Sequence, residues 1–311
     1  MLSPKMMGIV SMVGGIVLVS LQDAMVKLFA DSYALHEVML VRATVALSLT
    51  LVMLQISGGL RQLYSSSFSL LVLRGLMLVV ANTCFFLALV KMPVAEVVAI
   101  FFIAPVLITA LSAVLLKEFV GLARWSSVAI GMVGVLIMLR PGAEVIRWEG
   151  FFAIGAAFAY CCMQLLTRHM HTTASTATMV AYAQVSLLIA SAVMGMLTGK
   201  GQFSDVGHPS LQFLLRSWTI PAEFDLALWV FMGLVSAIGT YLVTRGYRLA
   251  SASVIAPFEY VAMPCAVVWG LMLYSESPDR VAVIGIMLII CLLYTSPSPR
   301  DRSLSRMPSS A

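Results

Sequence analysis

The sequence predicts an all-α integral membrane protein of ten transmembrane helices, arranged as two inverted five-helix repeats with the last helix truncated. Composition, the length of the apolar runs and a weak internal echo carry that prediction. Of 311 residues, 61% are hydrophobic and 11% charged, with a mean hydropathy of +1.00. One soluble core cannot hide so much apolar surface, so lipid is the expected solvent.

The runs are mostly near the ~20 residues that an α-helix needs to cross ~30 Å of hydrocarbon. Ten can be read: Gly8 to Phe29, Val38 to Ile56, Leu70 to Val90, Val94 to Leu116, Trp125 to Leu139, Gly150 to Leu166, Thr178 to Leu197, Leu226 to Thr244, Ser253 to Tyr274 and Val281 to Leu293. They are continuous rather than alternating, which favours helices over a β-barrel. The first run holds Asp23 and Lys27 near its end and lacks a small-residue cleavage site, so it reads as a retained helix and not a signal peptide. The cysteines Cys84, Cys161, Cys162, Cys265 and Cys291 lie in apolar segments without metal or disulfide spacing.

From Cys291 the chain reads CLLYTSPSPRD and ends SRMPSSA, which looks like a translated sequencing adapter. Setting aside Arg300, Arg302, Arg306 and Asp301, three positive charges and one negative, lowers the formal net charge from +5 to +3. Basicity therefore gives no reason to expect a nucleic-acid partner. Genuine sequence is expected to stop near Ile290, which truncates the tenth helix.

The halves echo one another. The fourth and ninth runs end in LLKE at Glu118 and LYSE at Glu276, and an offset of about 158 that superposes these glutamates also places Pro105 beside Pro264. The expected division is 1–149 for the first repeat, 150–290 for the second and 291–311 for the tail. Because five is odd, tandem five-helix units must be inverted. Cations assigned to the two sets of loops, Arg74 and Arg248 on one side and Arg140 and Arg280 on the other, favour a cytoplasmic N-terminus only slightly. In the long loop Gly199 to Asp225, the apolar stretch Leu211 to Trp218 is read as an inert surface loop or a lid.

Charge inside a bilayer costs about 3 kcal/mol or more at a helix centre, so each such residue calls for a reason. Glu259 stands in APFEYVAMP between Pro257 and Pro264, and with Pro105 these prolines are expected to break helices at a cavity. A carboxylate beside unwound backbone can hold a cationic group or a proton. Structural bonding to a neighbouring helix is the alternative. Asp23 and Lys27 have i, i+4 spacing suited to an ion pair, and Asp23 is also a candidate ligand. Arg42 is either an interfacial anchor or a fork for carboxylate or phosphate. Asn82, Gln164 and Gln184 are expected to join helices or line a cavity. Tyr260 and Trp269 are candidates to stack on a planar substrate, or simply pack. Glu96 suits a helix start without any ligand. No Walker loop and no metal constellation can be read, so neither cofactor nor ATP is expected.

The ordered motifs DAMVK (Asp23 to Lys27), VRA around Arg42, LRG (Leu73 to Gly75), FFIAPVLITALSAVLLKE (Phe101 to Glu118), SVIAPFEYVAMP and LYSE resemble the EamA-type permeases of the drug/metabolite transporter superfamily. The resemblance runs from about Gly8 to Ile290 and looks most like the branch moving metabolites such as S-adenosylmethionine or riboflavin. It implies a non-enzymatic secondary transporter of a small organic solute in a bacterial inner membrane, with cytoplasmic termini and a cavity flanked by the fourth and ninth helices. A multi-span membrane enzyme would need nucleophiles or metal ligands in one leaflet, and none is read; a scaffold or receptor would not need Glu259 between prolines. Oligomeric state and substrate are not read from the sequence.

Overall fold

A computed structural model describes residues 3–29, 32–65, 67–89, 94–139, 150–201, 215–275 and 283–288. The adapter-like tail, Glu276 and the first half (211–214) of the Leu211 to Trp218 stretch lie outside them, as do the side chains of Lys27 and Glu96. Among the described residues all regular structure is helical. The chain runs through α1 (Pro4–Phe29), α2 (Leu35–Ile56), α3 (Phe68–Leu89), α4 (Val94–Phe101), α5 (Ala104–Leu115), α6 (Leu122–Leu139), α7 (Gly150–His169), α8 (Thr176–Thr198), α9 (Glu223–Leu249), α10 (Ala252–Ile255) and α11 (Ala262–Tyr274), with a 3-10 segment, Ala256–Val261, between the last two. Seven segments are long and apolar enough to cross a membrane, and Ala104–Leu115 and Leu122–Ile137 are shorter apolar helices.

The fourth and ninth runs, read as single helices, are both interrupted. Pro105 has no N–H to donate to the Phe101 carbonyl, so one helix stops at Phe101 and α5 starts with Pro105 in its first turn. Pro257 opens the 3-10 segment, whereas Pro264 sits in the first turn of α11, where a missing N–H is tolerated.

Large apolar side chains such as Leu76, Val80, Val133, Leu136, Phe151 and Phe231 face outward, while Arg42, Arg74, Gln164, Gln184 and Glu259 are buried. Apolar outside and polar inside is the partition expected when lipid surrounds the bundle.

Helices pair in a pattern that repeats: α1 lies along α9 and α7 along α3, while α2 packs on both α8 and α9 and α8 on both α2 and α3. Likewise α1 touches the 3-10 segment and α11, and α7 touches α4 and α5. The α1–α9 seam depends on small residues. A Cβ on Gly15 would stand 2.7 Å from the Val243 nitrogen and 2.9 Å from the Gly239 carbonyl oxygen, so only hydrogen fits.

Candidate functional site

Glu259 is 4% exposed and lies in the 3-10 segment, deep in the bundle. Its Oε1 accepts a hydrogen bond from the Tyr160 hydroxyl of α7 at 3.0 Å. The same oxygen accepts a second, short hydrogen bond from the Tyr247 hydroxyl of α9. One carboxylate thus joins three elements, and the loosened backbone around Pro257 is what lets the chain present it. Tyr247 is fully buried among Met12, Ile16, Ile255 and Phe258. A carboxylate held by two neutral donors, with no paired cation among the described residues, can exchange those donors for a cationic ligand group or accept a proton.

Two further charged candidates lie on α1 and α2. Asp23 stands seven residues beyond Ile16, about 10 Å along α1, and Ile16 shares a core with Phe258 and Val261. The Asp23 side chain is accessible. Arg42 is 5% exposed and interacts electrostatically with Asp23. Asp23 in turn acts electrostatically on Tyr160, as does Glu259. Asp23 thus lies within electrostatic range of both Arg42 and Tyr160, and Tyr160 bonds Glu259.

Other candidate residues are differently placed. Trp269 donates its Nε1–H to the Ser20 hydroxyl at 3.0 Å, one turn of α1 from Asp23. Tyr260 is fully buried, and its ring stacks on Phe102 with centroids 5.8 Å apart. The Tyr260 ring that was a candidate for stacking on substrate is thus engaged within the protein. Asn82 turns its amide nitrogen back to the Leu78 carbonyl of its own helix, at 2.9 Å.

Two features went unread in the sequence. Tyr160 and Tyr247 look like ordinary packing residues, and only folding brings them to Glu259. Arg74, counted among the loop cations, is instead 3% exposed inside the bundle. It donates to Thr167 Oγ1 at 2.7 Å, the Met179 carbonyl at 2.9 Å and Thr244 Oγ1 at 3.1 Å, tying α3 to α7, α8 and α9. Its early position in the run, four residues after Leu70, made it resemble an interfacial residue.

At the end of the bundle near the N-terminus, Glu118 accepts from Arg168 Nε at 3.1 Å, the Ala252 and Ser253 amides at 3.2 and 3.3 Å, and Ser253 Oγ at 3.2 Å. It fastens the end of α5 to α7 and to the start of α10.

Seven helices long and apolar enough to cross a membrane, with an apolar exterior and buried polar side chains, fit a multi-pass membrane protein. Residues 6–140 match the EamA-like transporter family. The chain is 23% identical over 219 residues to an S-adenosylmethionine uptake transporter of Rickettsia prowazekii (strain Madrid E), covering 70% of this chain and 68% of the relative. It is 24% identical over 276 residues to a riboflavin transporter of Vibrio cholerae serotype O1, covering 86% of each. A crystal structure aligns with TM-score 0.74 and 15% identity over 94% of this chain and 98% of its own, a likeness of fold. The match over residues 6–140 and these transporter relatives support an EamA-type permease of the drug/metabolite transporter superfamily, a secondary transporter for small metabolites rather than an enzyme.

Proposed function

We propose that the chain carries a small organic metabolite across a bacterial inner membrane by alternating access, with Glu259 as the main polar determinant of transport. The observation that supports this most is the burial, at a helix interruption, of a carboxylate held by two tyrosine hydroxyls with no cation partner among the described residues. Asp23 and Arg42 extend the site along α1 and α2, while Trp269 stands one turn from Asp23. Asn82 and Tyr260 act as support, Asn82 on its own helix and Tyr260 through its stack. Pro105 and Pro257 provide the interruptions that let helices rearrange around the site. S-adenosylmethionine and riboflavin, named for relatives, are the first substrates to test, and flux is coupled to protons or exchange through Glu259.

The architecture that goes with this reading is ten spans in two inverted repeats, 1–149 and 150–290, surrounded by lipid. The pairing of α1 with α9 and α7 with α3 supports it, because exchanging each helix with its counterpart in the other half turns one contact into the other. The paired interruptions near Phe102 and Tyr260 support it as well.

Uptake of each metabolite into proteoliposomes tests the function. Glu259→Gln keeps shape and most hydrogen bonding but removes ionisation. Loss of flux with folding and insertion intact is expected. A variant that folds and transports at the wild-type rate and pH dependence would show Glu259 to be structural.

A further inference from the structure

Four helices begin or end around one cavity at the N-terminal end of the bundle. It holds about 390 Å³ and is lined by Lys5 in the first turn of α1, Arg124 in the first turn of α6, Arg168 in the last turn of α7 and Leu249, the final residue of α9, with Ser251 and Val254 beside them. Among the described residues no carboxylate lines it. Helix ends lie where a spanning bundle meets the membrane surface, the level of lipid phosphates. A cation in the last turn of a helix is favoured by the helix dipole, which accounts for Arg168. Lys5 and Arg124 stand in first turns, where the dipole disfavours a cation, so their convergence on the cavity has another cause.

Both arginines are held in place and partly accessible. Arg124 donates to the Phe119 carbonyl at 2.6 Å and to Ser253 Oγ at 2.8 Å, both neutral oxygens. Arg168 donates from Nε to Glu118 and from Nη1 to the Arg248 carbonyl, each at 3.1 Å. A guanidinium carries five N–H groups, so these bonds fix each fork and leave donors for a further acceptor. Three like charges around one cavity repel one another, and an anion seated among them relieves that repulsion. The rim beside Arg124 is apolar: Phe119 and Leu122 are 86% and 88% exposed, and Leu115 and Trp125 are exposed as well. A small soluble anion has no use for these side chains. An amphiphile with an anionic head and hydrocarbon tails uses both parts of the surface, and an exposed tryptophan at this level suits the membrane interface.

We propose that this cavity binds the headgroup of an anionic phospholipid, with Lys5, Arg124 and Arg168 around the phosphate and the acyl chains lying over Leu115, Phe119 and Leu122. The lipid is a resident ligand, and the site is independent of what the chain transports.

The test uses the full chain, delipidated in a neutral detergent, with phosphatidylglycerol, phosphatidylcholine and inorganic phosphate as probes. Native mass spectrometry counts retained lipid, and the thermal unfolding midpoint reports its effect on the fold. Phosphatidylglycerol is expected to be retained and to raise the midpoint more than phosphatidylcholine, with the difference shrinking as salt is added. Lys5→Gln and Arg124→Gln should each weaken phosphatidylglycerol binding about fivefold, the equivalent of one basic residue at an anionic surface. Arg61→Gln removes an exposed cation from the connection between α2 and α3, outside the cavity, and should leave binding unchanged. Equal binding of the two lipids overturns the proposal, as does a loss in Arg61→Gln as large as in the cavity variants. Inorganic phosphate that raises the midpoint as much as phosphatidylglycerol, in a manner dependent on Lys5 and Arg124, makes the cavity a site for a soluble anion and removes the lipid. If Arg124→Gln does not fold, Lys5→Gln and Arg124→Lys, which keeps the charge but not the fork, decide the matter: the first should weaken binding and the second should weaken it less.

Discussion

The ring of Tyr260 stacks on that of Phe102 at an interplanar angle of 27°, and the two residues are 158 positions apart. That separation is the offset that aligns Glu118 with Glu276. In a structure with an approximate twofold axis, a residue touches its own counterpart only on the axis. In the proposed arrangement of two inverted repeats this contact is the expected centre, and it lies where both broken helices meet.

Truncating either ring should destabilise the bundle unequally with removal of the hydroxyl. Tyr260→Ala and Phe102→Ala are expected to cost about 3–5 kcal/mol each as large buried rings. The double variant should cost less than their sum by about 0.5–1.5 kcal/mol, the energy of the stack. Tyr260→Phe, which loses only contacts of 3.3 and 3.5 Å to the Val128 and Phe102 carbonyls, should cost under about 1 kcal/mol. Reversible unfolding in mixed detergent micelles measures all four. Strict additivity of the alanine variants would exclude the coupling.

The α1–α9 seam makes a sharper prediction because adjacent glycines differ. Gly15→Ala drives a methyl into the Val243 backbone, whereas a Cβ on Gly14 meets nothing nearer than a Leu242 methyl at 3.7 Å. Overpacking costs about 1–3 kcal/mol, so Gly15→Ala should lower the unfolding midpoint and Gly14→Ala should not. Equal effects would mean that the seam is looser than the geometry requires.

Fastening at the N-terminal end predicts a local effect. Glu118→Ala leaves the Ala252 and Ser253 amides without their acceptor and releases Arg168. The expected loss is about 1–3 kcal/mol of local stability, read as faster hydrogen exchange at those two amides. Unchanged exchange there, with exchange elsewhere also unaltered, contradicts the fastening role.

Long apolar runs made the helices legible, because a span is coded by length and hydropathy alone. The interruption of the fourth helix was signalled by Pro105 but not located, since a proline fixes where a hydrogen bond is lost and not how the freed turn relaxes. Glu259 and Arg42 were visible because charge is rare in such runs. Tyr160 and Tyr247 were not, because tyrosine is unremarkable in a span. Their meaning comes from a hydroxyl meeting a carboxylate 99 or 12 residues away. Arg74 was misread because position near the end of a run says little about which way the side chain turns.

The two tyrosines give the last prediction. Both donate to the same Glu259 oxygen, so each hydroxyl offsets part of the cost of burying a carboxylate, and neither replaces the other geometrically. Tyr247 is fully buried, while Tyr160 is partly accessible and lies within electrostatic range of Asp23. Tyr160 is therefore the donor a ligand can displace, and Tyr247 the one that holds Glu259 in place. Tyr160→Phe is expected to change the apparent substrate affinity in proteoliposome uptake with little effect on stability. Tyr247→Phe should instead lower stability by about 1–3 kcal/mol, because it strips a buried charged acceptor of one partner. In the Glu259→Gln background both effects should shrink, since hydrogen bonds to a charged group are worth roughly twice those to a neutral one. A double-mutant cycle on uptake and on unfolding measures this coupling. Additive effects, or a Tyr160→Phe variant impaired only in stability, would remove Tyr160 from the transport site and leave it as packing.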